Sequence, residues 1–127
     1  MVVLDTNIII DHLRLQDKQA ESKLMTLART KSKEILAISM ITIQELYEGR
    51  STRDPQKEQY LLATISPLKI LPYNYEVAKL AGEIARDIER SIELADAGIA
   101  ATAILNGGEL STLNLKDFTD IDNLRLL

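Results

Sequence analysis

A chain of 127 residues, 46% of them hydrophobic, can build one core, and its net charge of −4 argues against attachment to nucleic acid by bulk positive charge. The absence of cysteine rules out disulfides, thiolate metal sites and a cysteine nucleophile, and a single histidine, His12, rules out imidazole clusters and most serine–histidine arrangements. No basic segment precedes an apolar one at the N-terminus and no run reaches the ~18 apolar residues of a membrane span, so the chain reads as a cytoplasmic protein with no membrane contact.

The chain opens on Val2-Val3-Leu4-Asp5-Thr6-Asn7-Ile8-Ile9-Ile10. An unalternating, β-branched run suits a strand buried on both faces of a parallel sheet. Thr6 and Asn7 favour turns and caps, which predicts a helix over residues 8–13. Asp5 then stands at the carboxyl end of the first strand, the edge where open α/β sheets bind ligands. It reads either as a cap for the next helix or as a metal ligand.

Ala20, Leu24, Leu27 and Ala28 recur at helical spacing and predict a helix over residues 16–30. Residues 34–39 read as a second buried strand. Thr42 and Glu45 match the capping-box pattern, predicting a helix over residues 42–47 closed by Gly49. A polar connection through Pro55 leads to a helix over residues 56–65, then to a short strand at 68–71 stopped by Pro72. Val77, Leu80, Ala81, Ile84, Ala85 and Ile88 mark an amphipathic helix within residues 73–89. Residues 96–105 are almost all Ala, Gly, Ile, Thr and Leu, so that helix must be buried on most sides. Asn106-Gly107-Gly108 stops it, and residues 109–112 and 124–127 supply a fourth and a weak fifth strand. This alternation predicts one α/β domain over residues 1–127. Its three-layer arrangement is a central, mostly parallel sheet of four to five strands flanked by helices.

Four acids fall beside these landmarks: Asp5 after the first strand, Glu45 in the helix after the second, Asp96 opening the buried helix, and Asp117 beyond the fourth strand. Gathering them at one sheet edge is electrostatically unfavourable unless cations neutralise them. Oxygen ligands without His or Cys suit Mg²⁺ or Mn²⁺, which can hold a phosphodiester and activate water. Each acid also has a plainer role. Glu45 would be the partner of Thr42 in the capping box, Asp96 would complement a helix N-terminus, and Asp117 and Asn114 would be turn residues.

In this order the motifs Val3-Leu4-Asp5-Thr6-Asn7, Ser39-Met40-Ile41-Thr42-Ile43-Gln44-Glu45-Leu46 with Gly49, Ile92 ahead of Asp96-Ala97-Gly98-Ile99-Ala100-Ala101-Thr102-Ala103, and Thr112-Leu113-Asn114 with Asp117-Phe118 resemble the PIN-domain ribonucleases, in particular the VapC-type toxins. The resemblance spans nearly the whole chain. It implies a Mg²⁺- or Mn²⁺-dependent endoribonuclease with Asp5, Glu45, Asp96 and Asp117 as metal ligands. Thr6, Asn7 and Thr112 match supporting polar positions, and Asn114 matches a position often acidic in relatives. It further implies a homodimer, an RNA substrate and a small antitoxin partner. Two departures stand out: Glu89 replaces a frequent glycine, and Glu93 adds a carboxylate where a small cap residue is usual.

Two other readings compete. One is a stand-alone RNA-processing nuclease, or a non-catalytic binding module, on the same fold. The other is a phosphotransferase of the haloacid-dehalogenase type, since Leu4-Asp5-Thr6 is similar to its nucleophile motif, but Asn7 stands where that chemistry wants a second Asp. His12, Lys31, Lys33 and the four tyrosines are read as surface or packing residues, and Arg50 and Arg53 as a weak phosphate-binding candidate.

Overall fold

A computed structural model describes residues 1–127. Its strands are β1 (Val2–Leu4), β2 (Leu36–Ser39), β3 (Lys69–Leu71), β4 (Glu109–Ser111) and β5 (Arg125–Leu126). They form one five-stranded sheet in the order β3-β2-β1-β4-β5, and every pairing is parallel. The all-parallel sheet explains the unalternating start of the chain. Val2 and Leu4 pack with Ile8, Ile9 and Ile38 on one face, while Val3 packs with Ala37, Leu110 and Ile99 on the other. Both faces of β1 are therefore core, and Val2, Val3 and Leu4 are each 0% exposed.

The helices are α1 (Thr6–Arg14), α2 (Lys23–Thr30), α3 (Met40–Glu48), α4 (Pro55–Ile65), α5 (Tyr75–Asp87) and α6 (Leu94–Leu105). Leu24 and Leu27 of α2, Leu46 of α3 and Leu61 and Ile65 of α4 join the first face, and Ile99, Ala100 and Ala103 of α6 join the second. The three-layer expectation holds. No helix is long and apolar enough to cross a membrane.

Helices α1 and α6 each begin two residues earlier than expected, so Thr6 and Asn7 lie inside α1 and Asp96 is the third residue of α6. Two further helix starts differ for reasons visible in the hydrogen bonding. The helix predicted over residues 16–30 is only its second half. Ser22 starts it by accepting a 3.2 Å hydrogen bond from the Met25 amide, and Gln19 just before it adopts a left-handed φ of 50°. The capping box at Thr42 is absent. Helix α3 starts earlier, where Ser39 accepts from the Ile41 amide at 3.2 Å, so Thr42 lies inside the helix and is 0% exposed.

Helix α6 fulfils its composition, with every residue from Ala97 to Ala103 buried. Gly98 is required there, since a Cβ atom would sit 2.7 Å from Cε2 of Tyr73. Chain order supplies the last positional fact. The chain builds outward from β1 through β2 to β3, then crosses back to place β4 on the other side of β1. Strand order thus reverses between β1 and β4, and the carboxyl ends of strands at such a reversal are where open α/β sheets bind ligands.

Candidate active site

Asp5 follows β1 directly and Thr112 follows β4, so both stand at that reversal. The Thr112 hydroxyl donates to Asp5 Oδ2 at 2.7 Å, and it accepts from the Asn114 amide at 3.0 Å and from Asn7 Nδ2 at 3.4 Å. One donor and two acceptors use the full capacity of a hydroxyl, which leaves Thr112 a single orientation. Asn7 closes the ring by accepting from the Leu113 amide at 3.2 Å. Asp5 occupies the N-cap position of α1, yet its side chain makes no capping hydrogen bond. Its hydrogen-bond partner is Thr112, while the Thr6 and Asn7 amides at the start of α1 act on its charge.

Glu45 is held from the same helix, α1. Thr6 Oγ1 donates to Glu45 Oε1 at 2.6 Å and lies 2.9 Å from Thr42 Oγ1. An ionised carboxylate only accepts, so the Thr6 proton points to Glu45 and Thr42 donates to Thr6. Thr42 and Glu45, three residues apart, share one helix face, which is what the capping-box pattern was registering. Asn114 Nδ2 donates to Asp117 Oδ2, which sits in a single 3-10 turn, Leu115–Asp117. Thr6, Asn7, Thr112 and Asn114 all contact the acids or one another.

Electrostatics tie the four acids into one region. Burial raises the Asp5 pKa, its Thr112 hydrogen bond and the nearby Thr6 and Asn7 amides oppose the rise, and the charge of Asp117 adds to it. Burial also raises Glu45, against the pull of Thr6 and with the added charges of Asp5, Glu48 and Glu93. Asp96 is pushed up to about 6, first by burial and then by Asp5, Asp117, Glu93 and Glu45. Glu93 thus belongs to the field of the site, although its carboxylate accepts no capping hydrogen bond from α6.

The donor set is all oxygen, the pattern that suits a hard divalent cation. No three of the His, Asp and Glu side chains stand close enough together to make a preformed chelating cluster. The fit to a metal ion therefore rests on donor chemistry and on the mutual repulsion that a cation would relieve. Two contributors carried no mark of this role in the sequence. Thr42, one turn before Glu45, matches a local capping pattern but bonds Thr6 instead. Arg90, which contacts the Asp117 turn, carried no local signal at all.

The family model for the PIN domain matches residues 2–124. The chain is 32% identical over 128 residues to Ribonuclease VapC10 of Mycobacterium tuberculosis, covering 98% of this chain and 91% of that protein. Ribonuclease VapC2 of Rickettsia felis is 30% identical over 98% of this chain and 94% of its own length. Among solved structures, VapBC2 from Rickettsia felis, bound to a DNA fragment from their promoter, superposes with a TM-score of 0.83 at 27% identity. That match covers 100% of this chain and 98% of the other. A toxin–antitoxin complex from Klebsiella pneumoniae gives a TM-score of 0.76 at 28% identity, over 98% and 95% of the two chains.

Proposed function

This chain belongs to the PIN domain family, and on that premise we propose that it is a VapC-type ribonuclease, the toxin of a toxin–antitoxin pair, that hydrolyses RNA phosphodiester bonds with Mg²⁺ or Mn²⁺. The observation that carries the reading is the shared field of Asp5, Glu45, Asp96 and Asp117 beside the strand-order reversal. Its support from relatives is the length of the match to two proteins named as ribonucleases.

When bound, a divalent ion would supply Lewis-acid charge to a phosphodiester and lower the pKa of water. The chain's own part is to hold each carboxylate by a polar neighbour. Thr112 fixes the rotamer of Asp5, Thr6 that of Glu45, and Asn114 that of Asp117. Asp96 must give up its proton near neutral pH before the set carries its full charge. Such second contacts orient ligands and tune their affinity by roughly 10–100-fold. The test is incubation of the chain with a defined RNA in Mg²⁺, in Mn²⁺ and in EDTA. Cleavage in either metal and none in EDTA is expected; intact RNA in both metals would overturn the reading.

The antitoxin follows from the same charges. An arginine from the partner, directed at the acids, presents forked donors that stay charged when desolvated, and it neutralises the site without providing a nucleophile. An apolar partner helix would provide further affinity. Replacing the candidate arginines of a co-encoded partner should restore RNA cleavage by the complex. Full inhibition after their removal would show that occlusion alone explains control.

A further inference from the structure

The connection between α5 and α6 carries Arg90, whose guanidinium is engaged on several sides. Nε and Nη2 form a fork on the Asp120 carboxylate, each at 2.8 Å. Nη2 also donates to the Asp117 backbone carbonyl at 2.5 Å, and Nη1 to the Ser91 carbonyl at 3.2 Å. We propose that Arg90 is a positioning residue of the acidic site, clamping the turn that bears Asp117 to the connection that leads into Asp96.

The need for a clamp lies in where the two acids sit. Asp96 is in the first turn of a twelve-residue helix with an internal hydrogen-bond ladder. Asp117 ends a three-residue 3-10 turn in the stretch between β4 and β5, where no longer element holds the backbone. Phe118 and Ile121 anchor that stretch in the core, in the cluster against which Ile88 and Ile92 of the connection also pack, and the polar contacts between the two segments set the direction of the turn. Every side-chain hydrogen bond between the two segments comes from Arg90.

The chemistry of the clamp favours arginine. A planar fork fixes direction as well as distance on a carboxylate, which an ammonium cannot do. Asp120 takes the Arg90 fork outside the acid cluster, while the guanidinium charge also reaches Asp117 and Asp96. With side chains 34% and 47% exposed, the Arg90–Asp120 pair contributes little to overall stability. Its effect therefore belongs in the site rather than in the unfolding temperature.

This inference rests on the metal-dependent reading of the acids, and the experiment separates the two. Mn²⁺ is titrated calorimetrically, without RNA, into the full chain and into Arg90→Ala, Arg90→Lys, Asp120→Asn and the Arg90→Ala/Asp120→Asn pair, with thermal midpoints recorded alongside. The wild type should bind Mn²⁺. Arg90→Ala should bind it about 10-fold or more weakly at a nearly unchanged midpoint, with little recovery in Arg90→Lys. The double variant should be no weaker than Arg90→Ala, because both substitutions break one clamp. Wild-type affinity in Arg90→Ala would overturn the role of Arg90 while leaving the metal site standing. An Arg90→Ala chain that no longer folds would also overturn it, since the residue would then be structural. A wild-type chain that binds no Mn²⁺ would overturn the underlying reading and this inference together.

Discussion

Thr112 and Asp5 are 107 positions apart in the chain and are joined by a buried hydrogen bond of 2.7 Å just beyond the paired ends of β4 and β1. The bond spans the place where strand order reverses, so a single hydroxyl couples fold topology to the rotamer of the first acid. Replacing Thr112 by Val leaves a buried carboxylate oxygen without its donor, which should destabilise the chain by about 1–3 kcal/mol. Urea unfolding at pH 7 measures this, and Thr112→Ser should retain most of the stability. A Val variant as stable as the wild type would mean that Asp5 does not depend on this contact.

A pH dependence follows from Asp96. Its pKa of about 6 lies above its ordinary value of 3.8, chiefly through burial. A carboxyl whose pKa is raised on folding binds its proton more tightly in the folded state. Its contribution therefore favours folding at low pH and is lost as pH rises from about 4 to about 6. Asp96→Asn should raise the thermal midpoint of the metal-free chain at pH 7.5, and much less at pH 4.5. An equal gain at both pH values would show that the substitution acts through packing rather than charge.

Much of this arrangement was legible in the sequence. The β-branched start of the chain, the apolar helix α6 and the strand–helix alternation encode burial directly, and the structure follows them. What the sequence hid were contacts whose partners lie far apart in the chain. Thr42 satisfied a local capping pattern, but the hydroxyl of Thr6, 36 positions away, is its partner. Asp5 carried the mark of a helix cap, but its partner is on β4's loop. Arg90 sits in a short polar connection, and only the folded chain brings it to Asp117 and Asp120, 27 and 30 positions on.

Gly98 offers a check on the packing that carries Asp96. A methyl group there would meet the Tyr73 ring at 2.7 Å, so Gly98→Ala should destabilise the chain by about 1–3 kcal/mol. Adding Tyr73→Ala should remove the clash, and the double variant should then lose less than the two single losses combined. Strictly additive losses would place the strain elsewhere.

The homodimer implied by the family resemblance has exposed apolar surface to draw on. Met40 and Leu94, the first residues of α3 and α6, are 47% and 76% exposed, and Tyr75 at the start of α5 is 80% exposed. Light scattering at micromolar concentration should give twice the chain mass of 14.2 kDa, and Leu94→Asp should reduce it. A monomeric wild type would contradict the expectation.

If Asp5, Glu45, Asp96 and Asp117 act as one metal-dependent cleavage site, Asp5→Asn should disable it without harming the fold. The substitution keeps the shape of the side chain and its contact with Thr112 while removing one of the repelling charges. RNA cleavage in Mg²⁺ and calorimetric Mn²⁺ binding are measured on the same preparation, beside its thermal midpoint. Cleavage should fall by at least about 100-fold and Mn²⁺ binding should weaken, at a midpoint equal to or above that of the wild type. Cleavage and Mn²⁺ binding at wild-type levels in Asp5→Asn would contradict a shared site.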